Sequence, residues 1–211
     1  MFLTFLPGNT GAKWRAWYYR KKFRKCGKNL RIGKGVIIEG AEHVTVGDNV
    51  HIDRYCIIEA GKLKLTTCKK IISQNDSDIP AGELILGNNI HIVSFSMLIA
   101  EGGIMISDNC TLSAGSKIYS ITNLAYDPDN RTKRISIMPY EQAPFLIAPV
   151  VLEQNVWIGL HGIVMPGVRL GRDSFVVSNS LVMHSFPENS YIAGQPAKRI
   201  RERFLTEHAQ A

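Results

Sequence analysis

The sequence predicts an all-β solenoid, a tube of very short parallel strands stacked coil on coil. Three observations predict it: an aliphatic residue recurs every sixth position, a small or β-branched residue follows four places later, and turn-forming triplets lie between. The clearest stretch is 152–187, where Leu152, Ile158, Val164, Leu170, Val176 and Val182 are the anchors. Helices and strands repeat at about 3.6 and 2 residues, so neither alone gives a period of six.

The same register extends outward through Ile32 and Ile38, then Val46, Ile52 and Ile58, then Leu86, Ile92 and Leu98, then Ile106, Leu112 and Ile118. All seventeen anchors are Ile, Leu or Val, which chance does not produce. Four places on stand Val36, Val50, Cys56, Ser96, Cys110, Ser116, Val156, Gly162, Val168, Ser174 and Ser180. Gly33, Gly47, Gly87, Gly159 and Gly171 directly follow anchors, and GDN (47–49), GNN (87–89), SDN (107–109) and GRD (171–173) supply bends. Each unit reads as a short strand and a corner, with two side chains pointing inward. A unit this small cannot bury them alone, so successive units must stack.

The register divides the chain into a basic aromatic segment at 1–28, the solenoid at 29–187 and a tail at 188–211, expected to end in a helix. Two stretches break the period, near 62–83 and 120–149, and are expected to be thrown outward as loops. Long insertions in a compact protein are often functional. The tail, AGQPAKRIRERF at 193–204, reads as a basic amphipathic helix capping the tube.

The 211 residues carry a net charge of +7, with 45% hydrophobic and 20% charged residues, a soluble globular composition. No apolar run reaches the roughly 18 residues a membrane span needs. MFLTFLPGNTG lacks a basic lead and is broken by Pro7 and Gly8, so it is a poor signal peptide and the expected location is cytoplasmic. Cys26, Cys56, Cys68 and Cys110 form no CxxC pair, and Cys56 and Cys110 fall at inward positions, as structural thiols do.

The positive charge is concentrated. Residues 1–38 hold ten Lys and Arg and no acid, leaving 15 basic against 18 acidic residues, or −3, for the rest. Within 7–27, Trp14, Trp17, Tyr18 and Lys21 share one side of a helix expected from about 11 to 25. Aromatic rings with cations suit an anionic lipid surface, so peripheral contact at the inner membrane face is one expectation. A helix packed on the assembly is the other. The mildly acidic remainder argues against a nucleic-acid partner.

The six-residue pattern resembles the hexapeptide-repeat family, whose triangular coils form a left-handed parallel β-helix. NVWIG (155–159), MPGV (165–168), the spaced Val176 and Ser180, and AGQPAKRIRERF resemble its acetyl-CoA-dependent branch, which acetylates sugars and xenobiotics. The resemblance covers roughly 30–204. It implies a homotrimer with acetyl-CoA as acyl donor, held in a groove between neighbouring tubes, and no metal. The matching positions are Trp157 at the groove, Leu160, Ser178 and Met183 along the pantetheine, and Lys198 and Arg201 toward the phosphates.

The expected function is transfer of an acetyl group from acetyl-CoA to a sugar hydroxyl of a bacterial surface polysaccharide or its precursor. Relatives carry a histidine base in stretches resembling I-Y-T-x-x-H, and IYSITNLAYD places Asn123 there, an amide that cannot take the proton. Val93 likewise stands where some sugar acetyltransferases place an asparagine. His161 is the alternative base, at an outward corner position. His51 and His91 precede anchors and face outward, and with His161 they raise a metal site between subunits, as in β-helical carbonic anhydrases, as the minor alternative. His43, His184 and His208 carry no motif, and Asp127 and Asp129 in DPDN read as a turn. Loss of the base also opens N-acylation of an amino sugar, or a non-catalytic binding scaffold, as alternatives.

Overall fold

The structure, a computed structural model, describes residues 2–62, 70–72, 78–127, 129–132 and 144–205. Six coils wind left-handed into a three-sided tube. The first face stacks strands from Lys25–Cys26 to Arg169–Leu170, and the third stacks strands from Ile37–Glu39 to Leu181–Val182. The second begins with Arg31–Ile32 and ends with Ser190–Gly194 and Ala197–Glu202. Pairing between coils is parallel throughout, so each anchor lies on its counterpart: Ile58, Leu98, Ile118, Val164 and Val182 form one column.

The core follows from the period. Sixteen of the seventeen anchors are at most 3% exposed; Ile38, on the end coil, is half-buried. The residues four places on are buried as well, where small side chains let the corner close. At roughly 1.5–3 kcal/mol for each fully buried aliphatic side chain, the columns dominate stability. Cys56 and Cys110 lie in this core, and burial pushes their thiols up to about 11 and about 12. Cys68 and His208 lie outside the described residues.

The three edges of the tube differ. Between the first and second faces, Asn29, Asn49, Asn89, Asn109, Asn155, Asp173 and Asn189 all adopt left-handed backbone. Their side chains form a ladder: each amide donates to the next oxygen from Asn29 through Asn109 at 2.8–2.9 Å, and Asn155 donates to Asp173 at 2.6 Å. Asn tolerates this backbone because its short side chain bonds locally. Between the second and third faces the equivalent positions are Gly35, Tyr55, Phe95, Gly115, His161 and Asn179, with the same positive φ. The third edge carries both insertions.

The insertions meet. Ile121–Asn123 pairs antiparallel with Phe145–Ile147, which pairs parallel with Lys70–Ile72, so both loops contribute to one small sheet. Ile99, Ile121, Phe145 and Ile147 pack together at its root.

Two short helices close the first coil: α1 (Phe2–Phe5) and α2 (Gly8–Lys22). α2 begins and ends three residues earlier than the pattern of aromatics and cations suggests. The Arg15 guanidinium fixes it, donating from Nε to the Ile32 carbonyl at 3.1 Å and from Nη1 to Leu3 and Leu6 at 3.1 and 2.8 Å. Gly11 permits this approach, since a Cβ there would lie 2.2 Å from the Leu6 oxygen.

At the other end the expected helix is absent from the described residues, and the tail is a hairpin. Ser190–Gly194 pairs antiparallel with Ala197–Glu202. Ile192 continues the second-face column over Val176 and is fully buried, which a helix starting there would forfeit. Gly194, at φ 109°, makes the turn. Arg203 then donates to the carbonyls of Asn155 and Ser174 at 2.8 and 3.3 Å, pinning the hairpin over the last coil.

Candidate functional site

The second face carries an outward column of unusual chemistry. Thr111, Trp157, Phe175 and Tyr191 stack on successive coils, with Arg201 paired to Tyr191 across the hairpin. Trp157 Nε1 donates to Ser113 Oγ at 2.8 Å. Its ring meets Phe175 edge-on at 5.4 Å, Phe175 meets Tyr191 at 5.2 Å, and the Arg201 guanidinium lies 4.0 Å over Tyr191. Inward anchors force their strand neighbours outward, so a period of six automatically presents such a column.

Leu160 and Ser178 lie on the edge beside this face, one coil apart: Asn179 N–H donates to the Leu160 carbonyl. Gln195 reaches from the hairpin turn to the Asn179 carbonyl, and Gly194 N–H donates to Ser180 Oγ at 3.1 Å, bringing the turn to the same edge. Lys198, beside that turn, is exposed and has no ion pair among the described residues. Leu160, Ser178 and Lys198 therefore lie at one edge, and Trp157 and Arg201 belong to the outward column of the adjoining face. Met183 lies at neither: it follows Val182 at the far side of the third face. Trp157, Leu160 and Met183 are 44%, 51% and 49% exposed, large apolar groups held open to solvent.

The position expected for the base, Asn123, and the alternative base, His161, are separated. His161, exposed at φ 55°, lies on the Leu160 edge with its ring over Gly115, where a Cβ would meet Nδ1 at 2.3 Å. Asn123 is exposed at the outer end of the inserted sheet, beyond the opposite end of the Lys117–Tyr119 strand. His51 and His91 are adjacent, paired on neighbouring coils with rings 6.2 Å apart, because the strands on either side of the insertion between them stay in register. His91 Nε2 lies 3.0 Å from Asp53 Oδ2. Among the described residues no three His, Cys, Asp or Glu stand together as metal ligands.

Sequence reasoning missed Glu101. It is half-buried at the foot of the inserted sheet, where burial and then the nearby Glu59 carboxylate raise its carboxyl above the usual range. Tyr119 is raised by burial and then by Glu59 as well. Burial that disfavours the charged form of a carboxyl beside a second carboxylate makes it a candidate functional group. Nothing in AEGG (100–103) distinguishes it from an exposed corner acid; the signal lies in the packing of an insertion onto it.

No family model matches the chain. It is 27% identical over 181 residues to the dTDP-4-amino-4,6-dideoxy-D-glucose acyltransferase of Escherichia coli, covering 86% of this chain and 83% of that one. It is 28% identical over 116 residues to the galactoside O-acetyltransferase of Escherichia coli K12, covering 55% of each. Among solved structures, a variant of AntD, an N-acyltransferase from Bacillus cereus in complex with dTDP and coenzyme A, superposes with a TM-score of 0.68 at 24% identity. The alignment covers 88% of this chain and 87% of AntD. In its six-residue coils, its closed three-sided tube and these relatives, the chain is similar to the hexapeptide-repeat acyltransferases and shares their fold.

Proposed function

We propose that the protein transfers an acyl group, in the first instance acetyl, from coenzyme A to a sugar destined for a surface polysaccharide. The observation that carries this reading is the outward column of Trp157, Phe175 and Tyr191 with Arg201 over it, flanked by Leu160, Ser178 and Lys198 at the adjoining edge. Exposed apolar groups there suit a pantetheine arm, and Lys198 and Arg201 suit its phosphates. Between tubes of a homotrimer such an edge becomes a groove. In the reaction a new bond forms at the thioester carbonyl, a backbone N–H holds the developing oxyanion, and the thiolate leaves to be protonated as free coenzyme A.

An amine acceptor is the better supported. A neutral amine attacks a thioester without a strong base and sheds its proton from an acidic ammonium intermediate. The inserted segment 120–149 holds no histidine, and Asn123 occupies the expected base position. The relative that matches over most of its length acts, by its name, on an amino sugar. A hydroxyl acceptor is the second reading, favoured by His161, an exposed imidazole beside Leu160 on the carrier edge. Following free thiol with acetyl-CoA and either an amino sugar or its hydroxyl counterpart separates the two; no release with either overturns acyl transfer.

We also infer that α2 rests on an anionic membrane. Trp14 and Trp17 are half-exposed and edge-on at 5.7 Å, with Lys21 Nζ 4.1 Å over Trp17. The acid-free charge of residues 1–38 complements anionic headgroups, each cation contributing about 1 kcal/mol near such a surface. No helix among the described residues is long and apolar enough to cross a membrane. Flotation with phosphatidylglycerol vesicles, but not phosphatidylcholine vesicles, is expected and should be lost in W14A/W17A; equal flotation of that variant refutes the contact.

A further inference from the structure

A cleft of about 560 Å³ opens where the start of α2 meets the first coils. Gly8, Asn9 and Arg15 line it from the helix, and Arg31, Lys34 and Arg54 from the tube. Its one carboxylate, Asp53, lies 3.0 Å from His91 Nε2. Arg15 is the informative residue. It is 3% exposed, and its Nε and Nη1 donate only to the carbonyls of Ile32, Leu3 and Leu6. Among the described residues Nη2 makes no hydrogen bond and no sealed side-chain nitrogen lacks one, so Nη2 reaches the cleft that Arg15 lines. Buried charges are as a rule paired, so this guanidinium calls for an anion from outside.

The helix adds to the demand. α2 begins with no side-chain cap and no acid in its first turn, and its leading N–H groups carry the positive end of the dipole. Backbone amides, a buried guanidinium and surface cations together suit phosphate oxygens. A bare phosphate leaves most of the cleft empty, and Asn9 and Ser94 offer neutral hydrogen bonds to hydroxyls beside it. The surroundings narrow the source. At 100° per residue, Ala12, Asn9, Lys13 and Trp17 follow one another around α2 within about 140°, so the cleft borders the strip of half-exposed tryptophans. Lys13, Trp14 and Trp17 line an open hollow of about 360 Å³ on that strip. Leu160 lies two coils beyond Ser94, through Ala114, which sets the cleft apart from the carrier positions.

We propose that this cleft binds the headgroup of an anionic phospholipid, with its phosphodiester on Arg15, Arg31 and Arg54 and its hydroxyls on Asn9 and Ser94, while the acyl chains stay in the bilayer beneath Trp14 and Trp17. The site makes the membrane contact selective for a phosphate-bearing lipid, beyond attraction to negative charge. It rests on the membrane reading of α2 above.

The full-length protein is titrated calorimetrically with dibutyryl-phosphatidylglycerol, a soluble lipid that forms no bilayer, and with inorganic phosphate and dTDP. It is also floated with two kinds of vesicle of equal surface charge, one charged by phosphatidylglycerol and the other by cholesteryl hemisuccinate, a carboxylate. Saturable binding of the soluble lipid is expected, weakened tenfold or more in R31Q/R54Q and unchanged in W14A/W17A. On vesicles the wild type should prefer phosphatidylglycerol severalfold; R31Q/R54Q should lose that preference, whereas K13Q/K21Q should weaken both kinds alike and keep it. Soluble-lipid binding that is absent or survives R31Q/R54Q, or a vesicle preference that survives it, overturns the site. Tighter binding of inorganic phosphate or dTDP than of the soluble lipid assigns the cleft to a free anion and overturns the lipid. Soluble lipid bound without flotation of either vesicle refutes the membrane contact alone and leaves the headgroup site standing. Arg31 and Arg54 are exposed side chains outside the core, so their replacement leaves the anchor columns intact.

Discussion

Two edges of the tube share a backbone and differ in side chains. Along the first, Asn29 through Asn189 meet the left-handed conformation with residues suited to it, and the amides bond up the stack. Along the second, Tyr55, Phe95 and His161 adopt the same φ without that suitability. Left-handed backbone costs an ordinary residue about 1–2 kcal/mol, and such departures concentrate at functional sites. The first edge is built for folding. The second gives up stability on the edge that also carries Leu160 and Ser178.

That contrast can be broken from below or sharpened from either side. Leu112→Ala, in the core beneath both edges, should cost about 2–5 kcal/mol in chemical denaturation, since a buried anchor leaves a cavity. A smaller loss would show that the coils collapse onto the gap. Next, Asn89→Ala removes both the left-handed tolerance and amide bonds to Asn49 and Asn109, and should cost about 2 kcal/mol. On the other edge the sign reverses: Tyr55→Gly or His161→Asn should stabilise by about 1 kcal/mol. Loss of stability in those variants would remove the distinction between the edges. His161→Asn also abolishes hydroxyl transfer if the imidazole is the base and leaves amine transfer unchanged.

The smallest effect concerns pH. Glu101 has its folded pKa raised by burial, so the fold binds its proton more tightly than the unfolded chain does. That preference is present below the ordinary carboxylate range and is lost as pH rises through the raised value, where stability declines. Glu101→Gln should flatten this part of the stability profile; an unchanged slope assigns it to other groups.

The coil interior was legible because it is local: each anchor and its fourth follower announce themselves within six residues, from Ile32 to Val182. Trp157, Leu160, Ser178, Met183, Lys198 and Arg201 were reached through motif resemblance alone, since nothing within six residues of them sets them apart from other outward positions. What could not be read depends on register between distant segments. The stacking of His51 on His91, the pairing of Lys70–Ile72 with Phe145–Ile147 and the burial of Glu101 all depend on how insertions re-enter the tube. The tail misled for a related reason. AGQPAKRIRERF has a helical distribution of charge, but Ile192 just before it fills the open end of the core, and the strand that carries Ile192 recruits the next one.

Stacks of repeats ordinarily touch only their neighbours and can melt from the ends inward, unit by unit. The small sheet built from both insertions departs from that arrangement, because it fastens the turn after the second coil to the turn after the fourth across the one between. Such a buckle makes the middle of the tube respond as a block, and it makes the setting of Asn123 answer to a segment more than fifty residues earlier in the chain.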